Sequence, residues 1–166
     1  LGYGNTDNIG AVVRPAQAGD VPVGGKAVDV AAGRDHTCAL LDSGAVRCWG
    51  RGQFGALGYG SPSDVGDDES PAEIGNVPLG GAALELSAGW YHTCARLQGG
   101  VLCWGYGGLG ELGNAGSDTI GDDEPASAAG LVTLGGAAVQ VSAGLHHSCA
   151  VLDTGKLRCW GYGLDG

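Results

Sequence analysis

Ala32-Gly33-Arg34-Asp35-His36-Thr37-Cys38-Ala39 returns as Ala88-Gly89-Trp90-Tyr91-His92-Thr93-Cys94-Ala95 and again as Ala143-Gly144-Leu145-His146-His147-Ser148-Cys149-Ala150. The frame A-G-x-x-H-[TS]-C-A therefore occurs three times, its cysteine recurring after 56 (94 − 38) and then 55 (149 − 94) residues. Such a spacing lies a little above the periods of propeller blades and makes each repeat one supersecondary unit. Outward from the frame, Ala83-Leu84-Glu85-Leu86-Ser87 and Ala138-Val139-Gln140-Val141-Ser142 alternate apolar and polar residues with the period of a strand. No window carries apolar residues at i, i+3, i+4 and i+7 without a Gly or Pro interrupting it. The pattern predicts an all-β chain of three equivalent units.

Turn chemistry sets the hairpin inside each unit. Asp42-Ser43-Gly44 and Asp153-Thr154-Gly155 lie midway between cysteines and read as three-residue loops, with Gly at the position that needs positive φ. The second repeat is one residue shorter, and Gln98-Gly99 reads there as a two-residue turn. The deletion preserves the pairing, so Cys38 faces Cys48, Cys94 faces Cys103 and Cys149 faces Cys159. Opposed residues of an antiparallel pair have Cα atoms roughly 4.5 to 5.5 Å apart, within disulfide reach. Three cross-strand disulfides are expected, one per unit. A His-x-Cys pattern with a later Cys also fits zinc, but the compensated loop length favours disulfides.

Bulk composition agrees. Gly is 35 of 166 residues, recurring at fixed places, and 43% of the chain is hydrophobic, enough for a packed interior. The formal charge of −10 repels phosphate backbones and anionic membranes, so a nucleic-acid partner is disfavoured. No apolar run is long enough to span a bilayer, so no membrane insertion is expected, and the first residues carry no signal-peptide pattern, which implies that any export signal has been removed. Six cysteines in expected pairs point to an oxidising compartment: extracellular, cell-surface or periplasmic.

The repeated frame, the following V-x-C-W-G and the stretches Gly52-Gln53-Phe54-Gly55-Ala56-Leu57-Gly58 and Gly107-Gly108-Leu109-Gly110-Glu111-Leu112-Gly113 resemble repeats of the regulator of chromosome condensation family over nearly the whole chain. The resemblance implies blades of four antiparallel strands in a β-propeller, three per chain, in a ring that usually has about seven. The cysteine pairs and acidic balance resemble the secreted, extracellular bacterial members. For function the motif says little, because one fold hosts many activities.

Repeats of about 1–56, 57–111 and 112–166 make the chain a single partial propeller, permuted relative to its blades, whose open edges require completion by missing repeats or by another copy. Leu1-Gly2-Tyr3-Gly4 matches Leu57-Gly58-Tyr59-Gly60, and the chain ends at Cys159-Trp160-Gly161-Tyr162-Gly163-Leu164-Asp165-Gly166, one residue short of running into that start. Head-to-tail homo-oligomers are expected, a dimer giving six blades, with Val12 to Val23 supplying an outer strand.

Candidate sites fall into four groups. Arg34, Asp35, Trp90, Tyr91, Leu145 and His146 vary inside a fixed frame, which is how repeat proteins generate recognition, and Trp and Tyr are enriched at hot spots; the alternative is a set of tolerated loop residues. His36, His92 and His147 recur and invite a metal reading, but a repeated hydrogen bond to blade backbone explains them better, and no metal is assigned. The acidic loops, with Asp64, Asp67 and Asp68, and Asp118, Asp122 and Asp123, could hold calcium, although their spacing is not that of an EF-hand and solvated loops are the simpler reading. Adjacent carboxylates on a strand would point to opposite faces. Trp49, Trp104 and Trp160 read as core. No cofactor is expected, and without a nucleophile-elbow motif the chain reads as no enzyme. The preferred function is an extracytoplasmic module that binds an extracellular protein; the alternatives are carbohydrate binding or surface adhesion, and a structural fragment with no ligand of its own.

Overall fold

The structure, a computed structural model, describes residues 1–164; Asp165 and Gly166, which enter the head-to-tail register, lie outside the described residues. Three separate antiparallel sheets follow one another along the chain: β1 (Ala27–Ala32), β2 (His36–Leu41) and β3 (Val46–Gly50); β4 (Ala83–Ala88), β5 (His92–Leu97) and β6 (Gly100–Gly105); β7 (Ala138–Ala143), β8 (His147–Leu152) and β9 (Leu157–Gly161). Leu41 N–H donates to Ala45 C=O at 2.8 Å, leaving Asp42-Ser43-Gly44 as the loop, and Gly44 has φ 81°. In the middle sheet Leu97 pairs with Gly100 around Gln98-Gly99. The deletion is absorbed in the turn, so each cysteine stands directly opposite its partner. Disulfides join Cys38–Cys48, Cys94–Cys103 and Cys149–Cys159 across Cα separations of 4.1, 4.0 and 4.1 Å.

Each sheet has three strands where four were expected. The outer position is filled by a segment that meets the sheet only at points: Gly50 pairs with Val65, and Val77 N–H donates to Val46 C=O at 2.9 Å; the same contacts recur between Gly105 and Ile120 and from Val132 to Val101 at 2.8 Å. Between those points lie a bend at residues 66–69 and the single helical turn α2 (Pro71–Ile74), with Pro at its first position. Proline lacks the ladder donor and the helical turn diverts the chain, so a continuous fourth strand cannot form. Val12 to Val23, expected as an outer strand, likewise contains the turn α1 (Pro15–Ala18). Four-residue turns are too short to show helical periodicity in sequence.

The core lies between neighbouring sheets. Leu57 and Leu112 from the glycine-rich stretches wedge between blades at 0% and 1% exposure, beside Val46, Leu86 and Trp104 in one joint and Val101, Val141 and Leu152 in the next. A Cβ on Gly58 would sit 2.6 Å from Trp104 Nε1, so glycine alone lets the wedge approach the ring. In the central sheet both cysteines are fully buried. Replacing Cys94 and Cys103 together by Ala is expected to cost about 2.5 kcal/mol, the loop-closure stabilisation of a crosslink of this short span. Urea unfolding of the double variant against the parent checks this, and an unchanged midpoint would show that the clamp adds nothing.

Candidate functional site

The frame histidines are inter-blade contacts. His36 Nε2 lies 2.8 Å from Thr93 Oγ1 of the next blade, and His92 Nε2 lies 2.9 Å from Ser148 Oγ. Thr93 donates its only hydroxyl hydrogen to Ala56 C=O at 3.1 Å, and Ser148 donates to Glu111 C=O at 3.2 Å, so each hydroxyl must accept from imidazole N–H. Trp104 and Trp160 fill the second acceptor position on the same two carbonyls, at 3.0 and 2.8 Å. The expected partner was backbone; the observed one is the Thr or Ser of the neighbouring frame. Burial lowers both His36 and His92 from 6.5 to about 4, so both are neutral at pH 7. His147, the third copy, is exposed, and its ring has no hydrogen-bond partner among the described residues.

Four of the six variable frame residues converge at one end of the blades. Arg34 holds its guanidinium 4.6 Å from the Trp90 ring centroid and 5.3 Å from that of Tyr91, whose hydroxyl accepts from Arg34 Nη1. Trp90 packs against Tyr91 (5.8 Å between centroids) and edge-on against His146 (5.4 Å). Leu145 stands beside this lane at 48% exposure, its carbonyl accepting from Trp90 N–H. Asp35 is exposed and pairs with Arg34 at 3.5 Å, a surface contact worth little.

Four residues that sequence reading missed complete the lane. Phe54 meets Tyr91 at 5.2 Å and Tyr106 at 5.3 Å, and Tyr162 meets His146 at 6.4 Å. Glu111, 1% exposed, accepts from Leu109 N–H at 2.9 Å and lies 3.3 Å from His146 Nδ1, fixing that ring. Tyr106 and Tyr162 were findable, since both follow Cys-Trp-Gly where the first repeat has Arg51. Phe54 was not: it sits in the left-handed region at φ 61°, a conformation rare for an aromatic residue, and this turns its ring onto the two tyrosines.

The acidic loops behave differently from the strand expectation. Carboxylates of Asp67, Asp68 and Glu69 lie within 4.8 Å of one another, as do those of Asp122, Asp123 and Glu124, because both segments are bends in which neighbouring side chains converge. A hydrogen bond shared with Asp68 raises Glu69 above the ordinary carboxyl range, and Asp123 does the same to Glu124. Asp64 and Asp118 stand outside these groups; Asp64 instead accepts from Gly52 N–H at 2.9 Å and braces the wedge.

Comparison with known proteins places these features. Family models described as "Regulator of chromosome condensation (RCC1) repeat" match residues 43–96 and 98–151, and 27–56 and 138–166. The ultraviolet-B receptor UVR8 of Arabidopsis thaliana is 33% identical over 143 residues, 85% of this chain and 31% of the receptor. Human WBSCR16 superposes with a TM-score of 0.71 at 23% identity over 87% of this chain and 35% of that one. Yeast RCC1, solved bound to Kap60, superposes with a TM-score of 0.60 at 23% identity over 82% and 32%. The chain thus spans about a third of the length of these proteins.

Proposed function

The chain belongs to the regulator of chromosome condensation repeat family, and on that premise we propose that it is an extracytoplasmic, non-catalytic module that binds another protein through the lane of Arg34, Trp90, Tyr91 and His146. The observation that carries this reading is the juxtaposition of a guanidinium with partly exposed rings: Trp90 at 37% and Tyr162 at 44%, beside Leu145. Trp, Tyr and Arg dominate protein hot spots, and rings locked by neighbours lose little entropy on binding. Of the similar proteins, one is by name a receptor and another was solved bound to a second protein. Three disulfides support an oxidising setting, and among the described residues no helix is long and apolar enough to cross a membrane.

Two features weigh against the alternatives. The His92–Ser148 pair has the spacing of a catalytic dyad, but both residues are buried at 1% and 0% and the serine hydrogen is committed to Glu111 C=O. The histidine therefore cannot receive it, and no substrate reaches the hydroxyl. Carbohydrate binding would use an open aromatic face, whereas one face of Trp90 carries Arg34.

The test is a capture experiment on secreted proteins with immobilised parent, Trp90→Ala and Phe54→Asn chains, alongside a glycan array. Trp90→Ala is expected to lower affinity for the captured protein at least tenfold, the cost of an interface anchor of about 2 kcal/mol or more, with thermal stability little changed because the ring is partly exposed. Phe54→Asn, whose backbone tolerates the left-handed region, should bind less while folding as well or better. Glycan binding that depends on Trp90, or capture equal for all three chains, would overturn the reading.

A further inference from the structure

Charge is divided unequally between the two ends of the strands. The loops that leave and rejoin the sheets at the lane end, residues 33–35, 51–69, 89–91, 106–124 and 144–146, carry ten carboxylates against the cations Arg34 and Arg51, a net charge of −8 (2 − 10) with His neutral. At the hairpin end, residues 21–26, 42–45, 77–82, 98–99, 132–137 and 153–156 carry Asp42 and Asp153 against Lys26 and Lys156, a net charge of 0 (2 − 2). Most of the chain's −10 therefore gathers on one face. A six-residue strand such as β2 holds the two ends about 17 Å apart, twice the screening length of about 8 Å at physiological salt, so they act as separate surfaces.

The carboxylates of the lane end border its rings. Asp64 accepts from Gly52 N–H at 2.9 Å, two residues before Phe54. The bend that holds Asp122, Asp123 and Glu124 packs on the wedge, where a Cβ on Gly55 would sit 2.5 Å from Asp122 N. The Asp118 carbonyl lies against Gly107, beside Tyr106. Among the described residues none of the eight carboxylates in 64–69 and 118–124 has an ion-pair partner, and Asp118 and Asp123 are exposed. Their crowding shows in Glu69 and Glu124, raised first by the hydrogen bond shared with Asp68 or Asp123 and further by the neighbouring charges. The rings, for their part, already accept a cation: Arg34 lies over Trp90 at 4.6 Å, its own charge offset by Asp35.

We infer that the protein bound at the lane docks through a basic segment, whose Lys or Arg heads meet these loops while their aliphatic stems lie on the rings of Trp90, Tyr91 and Tyr106. The inference rests on the lane being the binding surface and adds the chemistry of the partner. Ammonium and guanidinium heads find unpaired carboxylates at the rim, and the methylene stems behind them find an aromatic bed. A field of one sign also steers such a partner to this end of the blades and turns acidic proteins and phosphate backbones away. The hairpin end, at net 0, offers no such bias.

The test is fluorescence anisotropy with a labelled Lys-Ser repeat decapeptide and its Glu-Ser counterpart. The parent should bind the basic peptide alone, with affinity falling at least fivefold between about 50 and about 300 mM salt. Asp118→Lys with Asp123→Lys should weaken it at least tenfold, and Trp90→Ala about threefold. Asp42→Lys with Asp153→Lys makes the same change in net charge at exposed positions of the hairpin end and should stay within about twofold of the parent. Should the first reversal lower the thermal midpoint, the milder Asp118→Asn with Asp123→Asn is measured in its place, with about threefold weakening expected. Equal weakening by the two reversals, equal binding of the two peptides, or loss of the basic peptide to millimolar calcium would overturn the inference, the last by assigning the carboxylates to a metal. The captured protein separates this inference from the reading beneath it. If Trp90→Ala loses that protein while the lane-end reversal holds it as the parent does, the lane stands as the binding surface and the basic partner falls.

Discussion

Lowering the pH from 7 to 4 should reduce the unfolding free energy by roughly 5 kcal/mol, most of it through His36 and His92. Both are neutral in the folded protein because burial lowers them from 6.5 to about 4. Between these values the unfolded chain binds protons that the folded chain refuses, so stability is fully present above pH 6.5 and drains away as the pH falls towards 4. A shift of this size corresponds to about 3 kcal/mol per histidine. Asp35 beside His36 tempers that residue's share, since its charge favours the imidazolium. Glu69 and Glu124 act in the opposite sense, as their raised values let the folded chain bind protons early, but both side chains are close to solvent and the effect is screened. Denaturant midpoints at pH 7, 5.5 and 4.5 would trace the slope. In His92→Gln, whose amide can still donate to Ser148, about half the slope should vanish; a pH-independent parent, or an equal slope in the variant, would show that protonation occurs elsewhere.

Trp104→Ala is expected to cost about 4 kcal/mol, near the top of the range for a buried aromatic residue. Its ring is fully buried, Gly58 is moulded to it, and its Nε1–H shares Ala56 C=O with the Thr93 hydroxyl. Because the carbonyl keeps one donor when the other is removed, Trp104→Phe should cost only about 1 kcal/mol, whereas Thr93→Val also strips the buried His36 N–H of its acceptor and should cost about 2–3 kcal/mol; the double variant leaves Ala56 C=O orphaned as well and costs about 1–3 kcal/mol more than their sum. The same truncation at Trp160, which is only half-buried, should cost distinctly less. Equal losses at Trp104 and Trp160 would contradict the inter-blade origin of the stabilisation.

What was legible in the sequence was local. The Gly44 and Gln98-Gly99 turns set the hairpin register, and the register set the cysteine pairing, because each decision lies within a dozen residues. What escaped depended on contacts about one repeat away. The hydroxyl partner of His36 is 57 residues along the chain, and Phe54 joins Tyr91 and Tyr106 only once the wedge has seated between blades. The four-strand expectation failed because proline and a helical turn interrupt the outer segment, leaving single pairings at Val65 and Val77. Convergence of Asp67, Asp68 and Glu69 escaped for a related reason: a bend does not alternate its side chains as a strand does.

Every disulfide in this fold closes a hairpin within one sheet, at sequence separations of 10, 9 and 10. Among the described residues no disulfide passes from one blade to its neighbour. Oxidation therefore hardens each sheet individually and does nothing to tether the arc, so after a protease nick in an exposed acidic bend the two pieces would stay together solely through the overlap of wedge, imidazole and outer segment across the seam.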